Sequence, residues 1–284
     1  MKLLEGGISI IVPVYNGEYF IETAYKNILN QHLTNFEILF IDNNSTDASV
    51  VKISKILQID SRVSFYKETK QGAAAARNKG IEKAQGEFIH FFDVDDQLFN
   101  GALIALNEVL KNNPEVFSVF GNIIRTKNQF INLENSVKNT NSIVLHKNPS
   151  LGLVWLKSKS QLPNPSTFLH RRAVFSKIKG FQVDLLIGED AFFHVRLANE
   201  FNLAYLDRDI VAYFRHPNST VSQQNSKVVD KVFTYWPQTI KAYLPYSINH
   251  KVSKEFKVEV LKQIFWAIGK MIVLTEGFKQ RKFF

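Results

Sequence analysis

Three carboxylates stand together at Asp93-Val94-Asp95-Asp96, directly behind the apolar run Phe88-Ile89-His90-Phe91-Phe92. Such a run reads as a buried β-strand, so the acids fall where a strand ends. Negative charges crowded there oppose one another unless a cation neutralises them. Two carboxylates two residues apart at a strand–loop junction, as Asp93 and Asp95 are, can both turn toward one hard cation. Mg²⁺ or Mn²⁺ takes such oxygens together with substrate phosphates. A solvated acidic turn has the same composition, so the stretch gains meaning only from other groups in the chain.

Several other groups have chemical potential. Pro13-Val14-Tyr15-Asn16 closes an earlier apolar run, and Tyr15 offers a flat face on which a nucleobase could stack. Asp42-Asn43-Asn44-Ser45-Thr46-Asp47 closes another. Asp42 there could accept a hydrogen bond from a base N–H, while Ser45 and Asp47 read better as caps of the following helix. Gly72 to Gly80 places small residues on a helix, with Arg77 and Lys79 adding charge that suits phosphate. Gly188-Glu189-Asp190 opens a helix, whose N-terminus favours an ionised carboxylate; one of the two acids could serve as general base. His216, in Arg215-His216-Pro217-Asn218-Ser219, could ligate a metal or touch a phosphate.

The elements that must position these groups alternate. Strands are expected at Ile8–Val14, Phe36–Ile41, Arg62–Tyr66, Glu87–Phe92 and Glu115–Ile124. Helices are expected at Glu18–Gln31, Asp47–Ile59, Gly72–Ala84 and Gly101–Leu110, with Ser45 or Thr46 capping the second. This alternation implies an α/β fold with crossover helices over a mostly parallel sheet. In such sheets ligands bind beyond the carboxyl ends of the strands, where Tyr15-Asn16, Asp42-Asn43 and Asp93 to Asp96 all fall. Loops and a short antiparallel excursion are expected from Thr126 to Pro165. A strand from Ser166 to His170, a helix from Arg171 to Lys179, a helix from Asp190 to Glu200 and a strand pair from Leu203 to Phe214 follow. Lys227–Tyr243 reads as helical with a break near Pro237. In Phe256–Ile272 the residues Phe256, Val260, Leu261, Ile264, Phe265, Ile268, Met271 and Ile272 share one stripe.

The chain has 284 residues, 45% hydrophobic and 21% charged, which suits one large α/β domain with an appendage. With no cysteine, disulfides and thiolate metal sites are excluded. No apolar run approaches the roughly 20 residues of a membrane span, and the N-terminus lacks a signal pattern, so a cytoplasmic protein is expected. The formal charge of +9 is uneven. Asn225 to Phe284 holds 11 lysines and arginines against 4 acids, a net +7. A basic amphipathic tail of that kind could meet an anionic membrane, dimerise or pack on the core.

In order and spacing, these motifs resemble those of the family 2 nucleotide-sugar glycosyltransferases. P-V-Y-N, I-D-N-N-S-T-D, G-x-x-x-A-R-N-x-G, D-V-D-D, G-E-D and R-H-P-N-S follow in family order across about Ile8 to Ser222. The resemblance implies a GT-A fold, Rossmann-like, with a catalytic domain over 1–222 and a helical extension over 223–284. Within the domain it implies a nucleotide-binding part over about 1–125 and an acceptor part over about 126–222. It implies inverting transfer of a sugar from a nucleotide donor, UDP being the expected carrier, to a saccharide or lipid-linked saccharide, assisted by Mn²⁺ or Mg²⁺. Such enzymes commonly build bacterial surface polysaccharide or lipopolysaccharide. By position, Pro13, Tyr15, Asn16, Asp42, Asn43 and Arg77 fall in the nucleotide site with Asp93, Val94, Asp95 and Asp96. Asp95 and His216 match the metal contacts, Asp190 the base and Glu189 its neighbour near the acceptor. Asn43 departs from the family, where many relatives carry a second Asp. A sugar-nucleotide-forming nucleotidyltransferase would place a glycine-rich basic loop where Tyr15-Asn16-Gly17-Glu18 stands, and a dehydrogenase would place G-x-G-x-x-G there. A binding module without turnover would not need the acidic pairs. No nucleic-acid partner is expected.

Overall fold

The computed structural model describes residues 4–127, 133–134, 139–158, 161–185, 188–214, 236–249 and 251–280, without the side chains of 139, 236–240 and 274–280. The first half alternates as expected: β1 (Leu4–Val14), α1 (Ile21–Leu29), β2 (Phe36–Asp42), α2 (Ser49–Ile59), β3 (Val63–Lys67), α3 (Ala73–Lys83) and β4 (Gly86–Phe91). A two-residue strand β5 (Gln97–Leu98) and α4 (Ala102–Asn112) follow. Then come β6 (Ser118–Thr126), β7 (Asn139–His146), α5 (Ser150–Lys157), β8 (Phe168–Arg171), α6 (Ala173–Ile178), α7 (Glu189–Glu200) and β9 (Leu203–Phe214). Two further helices are α8 (Trp236–Asn249) and α9 (Lys254–Gln280).

The nine strands form one sheet in the order β3-β2-β1-β4-β8-β6-β9-β5, with β7 also on β9. β3, β2, β1 and β4 are parallel neighbours. β8 runs antiparallel to both β4 and β6, while β6 and β9 are parallel. The sheet is therefore parallel from β3 to β4 and mixed beyond it. The order in which successive strands are added across the sheet reverses between β1 and β4, so the carboxyl ends of these two parallel strands frame the crevice where open α/β sheets take ligands.

Near-continuous apolar runs in β1 and β2 reflect burial on both faces. Ile11, Leu39, Ile89 and Phe91 meet α3, α5, α6 and α7 on one side. Ile10, Val12, Ile38, Phe40 and Phe88 meet α1, α2 and α4 on the other. One close approach depends on a glycine: a Cβ at Gly80 of α3 would stand 2.3 Å from Cγ2 of Ile11 in β1. The small-residue reading of α3 thus holds, and it brings the helix down onto the central strand.

Four expectations are corrected. Leu203–Phe214 is one strand rather than a pair, because the acids Asp207 and Asp209 stay in the strand instead of turning it. Asp207 accepts hydrogen bonds from Asn122, Tyr205 and Thr140. The middle stretch contains α5, a two-turn helix too short to show a period, which buries Trp155 and Leu156. Neither Ser45 nor Thr46 caps α2; Asp47 takes the Ser49 amide at 3.0 Å instead. The single stripe expected on α9 is split: Phe256, Val260 and Ala267 are buried, whereas Leu261, Phe265, Ile268 and Ile272 are exposed. The helix expected over Lys227–Tyr243 is described only from Trp236, where α8 begins and runs past it to Asn249.

The two last helices belong to the main core. Tyr243 and Tyr246 of α8 pack edge-on against Phe192 of α7, and Tyr246 packs against Phe256 of α9. Gln263 Nε2 of α9 donates to the Leu156 carbonyl of α5 at 2.8 Å.

Candidate active site

Two loops at the strand ends are tied together before any ligand arrives. The Asn16 amide donates to Ser45 Oγ at 3.0 Å, and Asn16 Oδ1 accepts the Thr46 amide at 2.8 Å. The Gly17 amide donates to Ser49 Oγ, the Glu18 amide to Asp47, and the Ala48 amide to the Glu18 carboxylate. Asn16 sits at φ 50°, a left-handed conformation that asparagine tolerates. Its side chain therefore serves the scaffold. Pro13 is half-buried in β1 opposite Ile41. Tyr15 projects from this turn and is 57% exposed, so its ring face is available.

Asp42 ends β2, buried, and takes the Ser45 amide on Oδ1 at 3.2 Å. Asn43 is also buried, and its whole amide is engaged. Nδ2 donates to the carbonyls of Glu68 and Lys70, and Oδ1 accepts the Gly72 amide. A carboxylate there could not donate to those carbonyls, so the departure at Asn43 anchors the turn that leads into α3.

Arg77 occupies the centre. It is buried, and its guanidinium spans two carboxylates, one 112 residues further along the chain and the other 16: Nη1 meets Glu189 Oε1 at 3.2 Å and Nη2 meets Asp93 Oδ1 at 2.8 Å. Its ring-like plane lies 5.4 Å from the Phe181 centroid. Burial opposes the charge, but Asp93 and Glu189 outweigh it, so Arg77 stays protonated above the ordinary arginine range. The neighbouring Asn78 fixes the same helix by a reciprocal pair with the Phe181 backbone, both bonds at 2.8 Å. Sequence spacing singled out Arg77 but gave Asn78 no role.

Asp93, Val94 and Asp95 are half-buried at the β1–β4 crevice, and Asp96 is buried beneath them. Val94 packs over Gly17, where a Cβ would come within 3.1 Å of Val94 Cγ1. The Asp93 amide donates to Ser166 Oγ at 3.1 Å. Ser166 was not foreseen; Asn164 Oδ1, between two prolines, takes the Ser166 amide at 2.7 Å and sets that turn. Neither Asp96 carboxylate oxygen has a hydrogen-bond partner among the described residues. Burial, then the nearby Asp93 and Asp95, push Asp96 well above the usual carboxylate range, against a smaller opposite pull from the Arg77 charge.

α7 starts after Gly188, at φ 81°, with Glu189 and Asp190 in its first turn. Glu189 is pushed up to about 7 by burial and then by Asp190, with Arg77 pulling it down. Asp190 is half-buried, and its Oδ1 accepts the Ala191 amide at 2.7 Å. Arg77 thus brings the acids of the β4 end and the acids of the α7 N-terminus into one cleft. Arg215 and His216 lie outside the described residues.

The acids fit a hard divalent cation by donor type, being oxygen ligands, and the pressure that Asp93 and Asp95 exert on buried Asp96 marks a local crowding of carboxylates. Among the described residues, no group of three or more acids and histidines is arranged to hold an ion unaided. Oxygens from substrate or water would have to complete the shell.

The family model described as glycosyl transferase family 2 matches residues 9–179. The chain belongs to glycosyl transferase family 2. A Campylobacter jejuni GalNAc(5)-diNAcBac-PP-undecaprenol beta-1,3-glucosyltransferase is 35% identical over 133 residues, 46% of this chain and 42% of that protein. An Escherichia coli UDP-Glc:alpha-D-GlcNAc-diphosphoundecaprenol beta-1,3-glucosyltransferase, WfgD, is 32% identical over 164 residues, 57% of this chain and 63% of that one. The chain therefore spans roughly half the length of these family 2 relatives. Staphylococcus aureus TarS 1-349 in complex with UDP-GlcNAc has the same fold, with a TM-score of 0.66, 19% identity and coverage of 93% of this chain and 73% of that one. Mannosyltransferase PcManGT from Pyrobaculum calidifontis, in complex with GDP-Man and Mn²⁺, gives a TM-score of 0.60 at 16% identity, covering 92% and 72%. The family's GT-A architecture is thereby established for this chain.

Proposed function

We propose that this family 2 protein transfers a sugar from a nucleoside-diphosphate donor, a UDP-sugar, to a hydroxyl of a saccharide or lipid-linked saccharide, with inversion at the anomeric carbon. The observation that carries this reading is the Arg77 bridge, which joins the donor-side acids to the α7 acids. Relatives named for UDP-glucose and for undecaprenol-linked acceptors support the substrate classes. The same reading has the protein working in the cytoplasm beside the membrane that carries such an acceptor.

In the proposed step, Asp190 takes the proton of the acceptor hydroxyl as its oxygen attacks the anomeric carbon. The bond from that carbon to the diphosphate oxygen breaks, and its electron pair leaves with the nucleoside diphosphate. Positive charge grows on the sugar ring, as in glycoside hydrolysis. The Tyr15 face stacks on the base, Asp42 accepts from its imide, and Asp93 and Asp96 line the ribose and donor sugar. Arg77 holds Asp93 and Glu189 in register, so the donor and the base keep their spacing. A divalent cation, held at Asp95 with His216, would offset the charge of the leaving diphosphate.

Release of nucleoside diphosphate from a panel of nucleotide sugars, with Mn²⁺ and a lipid-linked saccharide acceptor, tests this. Turnover confined to UDP-sugars, and suppressed by EDTA, is expected. Turnover that survives thorough metal stripping would remove the cation, and a panel with no turnover and no donor-induced rise in Tm would remove the transfer reading.

A further inference from the structure

The helix α9 has two apolar faces, of which one is packed into the core. Phe256, Val260 and Ala267 point inward. On the other side Val258, Leu261, Phe265, Ile268 and Ile272 recur at intervals of three and four residues and form one exposed stripe, from 40% exposed at Val258 to 71% at Phe265. Stripes of this size on a soluble surface mark a contact site. Its charge setting narrows the choice of partner. Lys254, Lys257, Lys262 and Lys270 are all exposed, against Glu255 as the one exposed acid among the described side chains of the helix. By helical period, Lys257 and Lys262 fall on the two edges of the stripe. Lys270 Nζ lies 4.4 Å from the Trp266 ring centroid, an aromatic–cation pairing suited to a boundary between apolar and wet surroundings.

We propose that this face of α9 docks on an anionic bilayer surface. A second copy of the chain seated on it would bring a lysine-edged stripe against another, opposing like charges across the seam. Anionic headgroups meet the same lysines favourably while the acyl boundary takes the apolar stripe. No helix among the described residues is long and apolar enough to cross a membrane, so α9 would lie in the plane of the surface. The contact would be rigidly linked to the cleft: α9 is bonded to α5 through Gln263 and packed through Tyr246 onto α7, the helix that begins with Glu189 and Asp190. The surface goes beyond the transfer reading and needs no donor to be detected.

Flotation of the full chain with phosphatidylcholine vesicles, with and without phosphatidylglycerol, tests it. Binding that requires phosphatidylglycerol and weakens as salt rises is expected. Leu261→Ser combined with Phe265→Ser should lower binding about ten-fold or more, and Lys257→Glu combined with Lys262→Glu should remove the phosphatidylglycerol preference. Both pairs are exposed, so thermal melting should stay near the parent; should the serine pair melt early, the charge pair alone decides. Absence of phosphatidylglycerol-dependent flotation, or equal flotation by the parent and the folded charge pair, overturns the proposal. So does a dimer by sedimentation that Phe265→Ser dissolves, since that assigns the face to a second copy.

Discussion

Arg77 and Asp93 meet at 2.8 Å on the buried side of the crevice, and the same guanidinium continues to Glu189 at 3.2 Å. Removing the cation would leave two crowded carboxylates facing each other. Arg77→Met should therefore cost about 3 kcal/mol in denaturant unfolding at pH 8. The loss should shrink at lower pH. Glu189 is raised to about 7 from an ordinary value of 4.5, so between those values the folded chain binds a proton that the unfolded chain lacks. Its contribution to stability falls as pH rises through that window. Without Arg77 the window extends upward, so a variant equally destabilised at pH 6 and pH 8 would contradict the proposed electrostatics.

Asp190→Asn keeps shape and hydrogen-bonding capacity but cannot take the acceptor proton. Turnover should fall about 10³-fold or more, while donor affinity by calorimetry stays within about two-fold of the parent. Near-normal turnover would move the base role elsewhere, with Glu189 the first residue to examine.

Three histidines lie buried about the sheet. His90 Nδ1 donates to the Phe168 carbonyl at 2.8 Å, His170 shares a 2.8 Å hydrogen bond with Ser118, and His194 stacks on Phe168 at 4.4 Å between centroids. Burial depresses His194 to about 3, so the folded state stays neutral while the unfolded chain gains a proton below about 6.5. The sign follows: stability from this group is complete above 6.5 and is lost as pH falls toward 3. His194→Phe keeps a ring in the stack and removes the titration. Relative to its own value at pH 7.5, the variant should retain about 2 kcal/mol more than the parent at pH 5. Parallel pH profiles for the two proteins would refute this.

Gly80→Ala tests the seat of α3. Alanine favours a helix by about 1 kcal/mol over glycine, but its Cβ would stand 2.3 Å from Ile11 Cγ2. Ile11 is β-branched and fully buried, so it has little room to yield. A net loss of about 1–2 kcal/mol in denaturant unfolding is expected, with lower donor affinity because Arg77 rides on the same helix. A variant more stable than the parent would show that the helix can slide freely.

The sequence was most legible where local chemistry and position agree. Strand ends carrying Tyr15, Asp42 and Asp93 could be found because apolar runs stop there, and the sheet places all three on one edge. Arg77 stood out as a charge among alanines. Ser166 did not, because its bond to the Asp93 amide joins residues 73 apart and nothing local signals it. Asn43 was read against a base, and only the fold reveals the three hydrogen bonds that hold residues 68–72. Periodicity revealed the apolar character of α9 but not which side the core would cover, since that depends on where α5 and α8 arrive.

The packing of Tyr243 and Tyr246 on Phe192 bears on how the protein can be shortened. A version trimmed ahead of Trp236 would strip the aromatic cover from the outer side of α7. Phe192 would then face water two residues from Asp190, and the first turn of that helix would lose its backing. Enzymology on such a shortened form would report on a loosened cleft rather than on the native one.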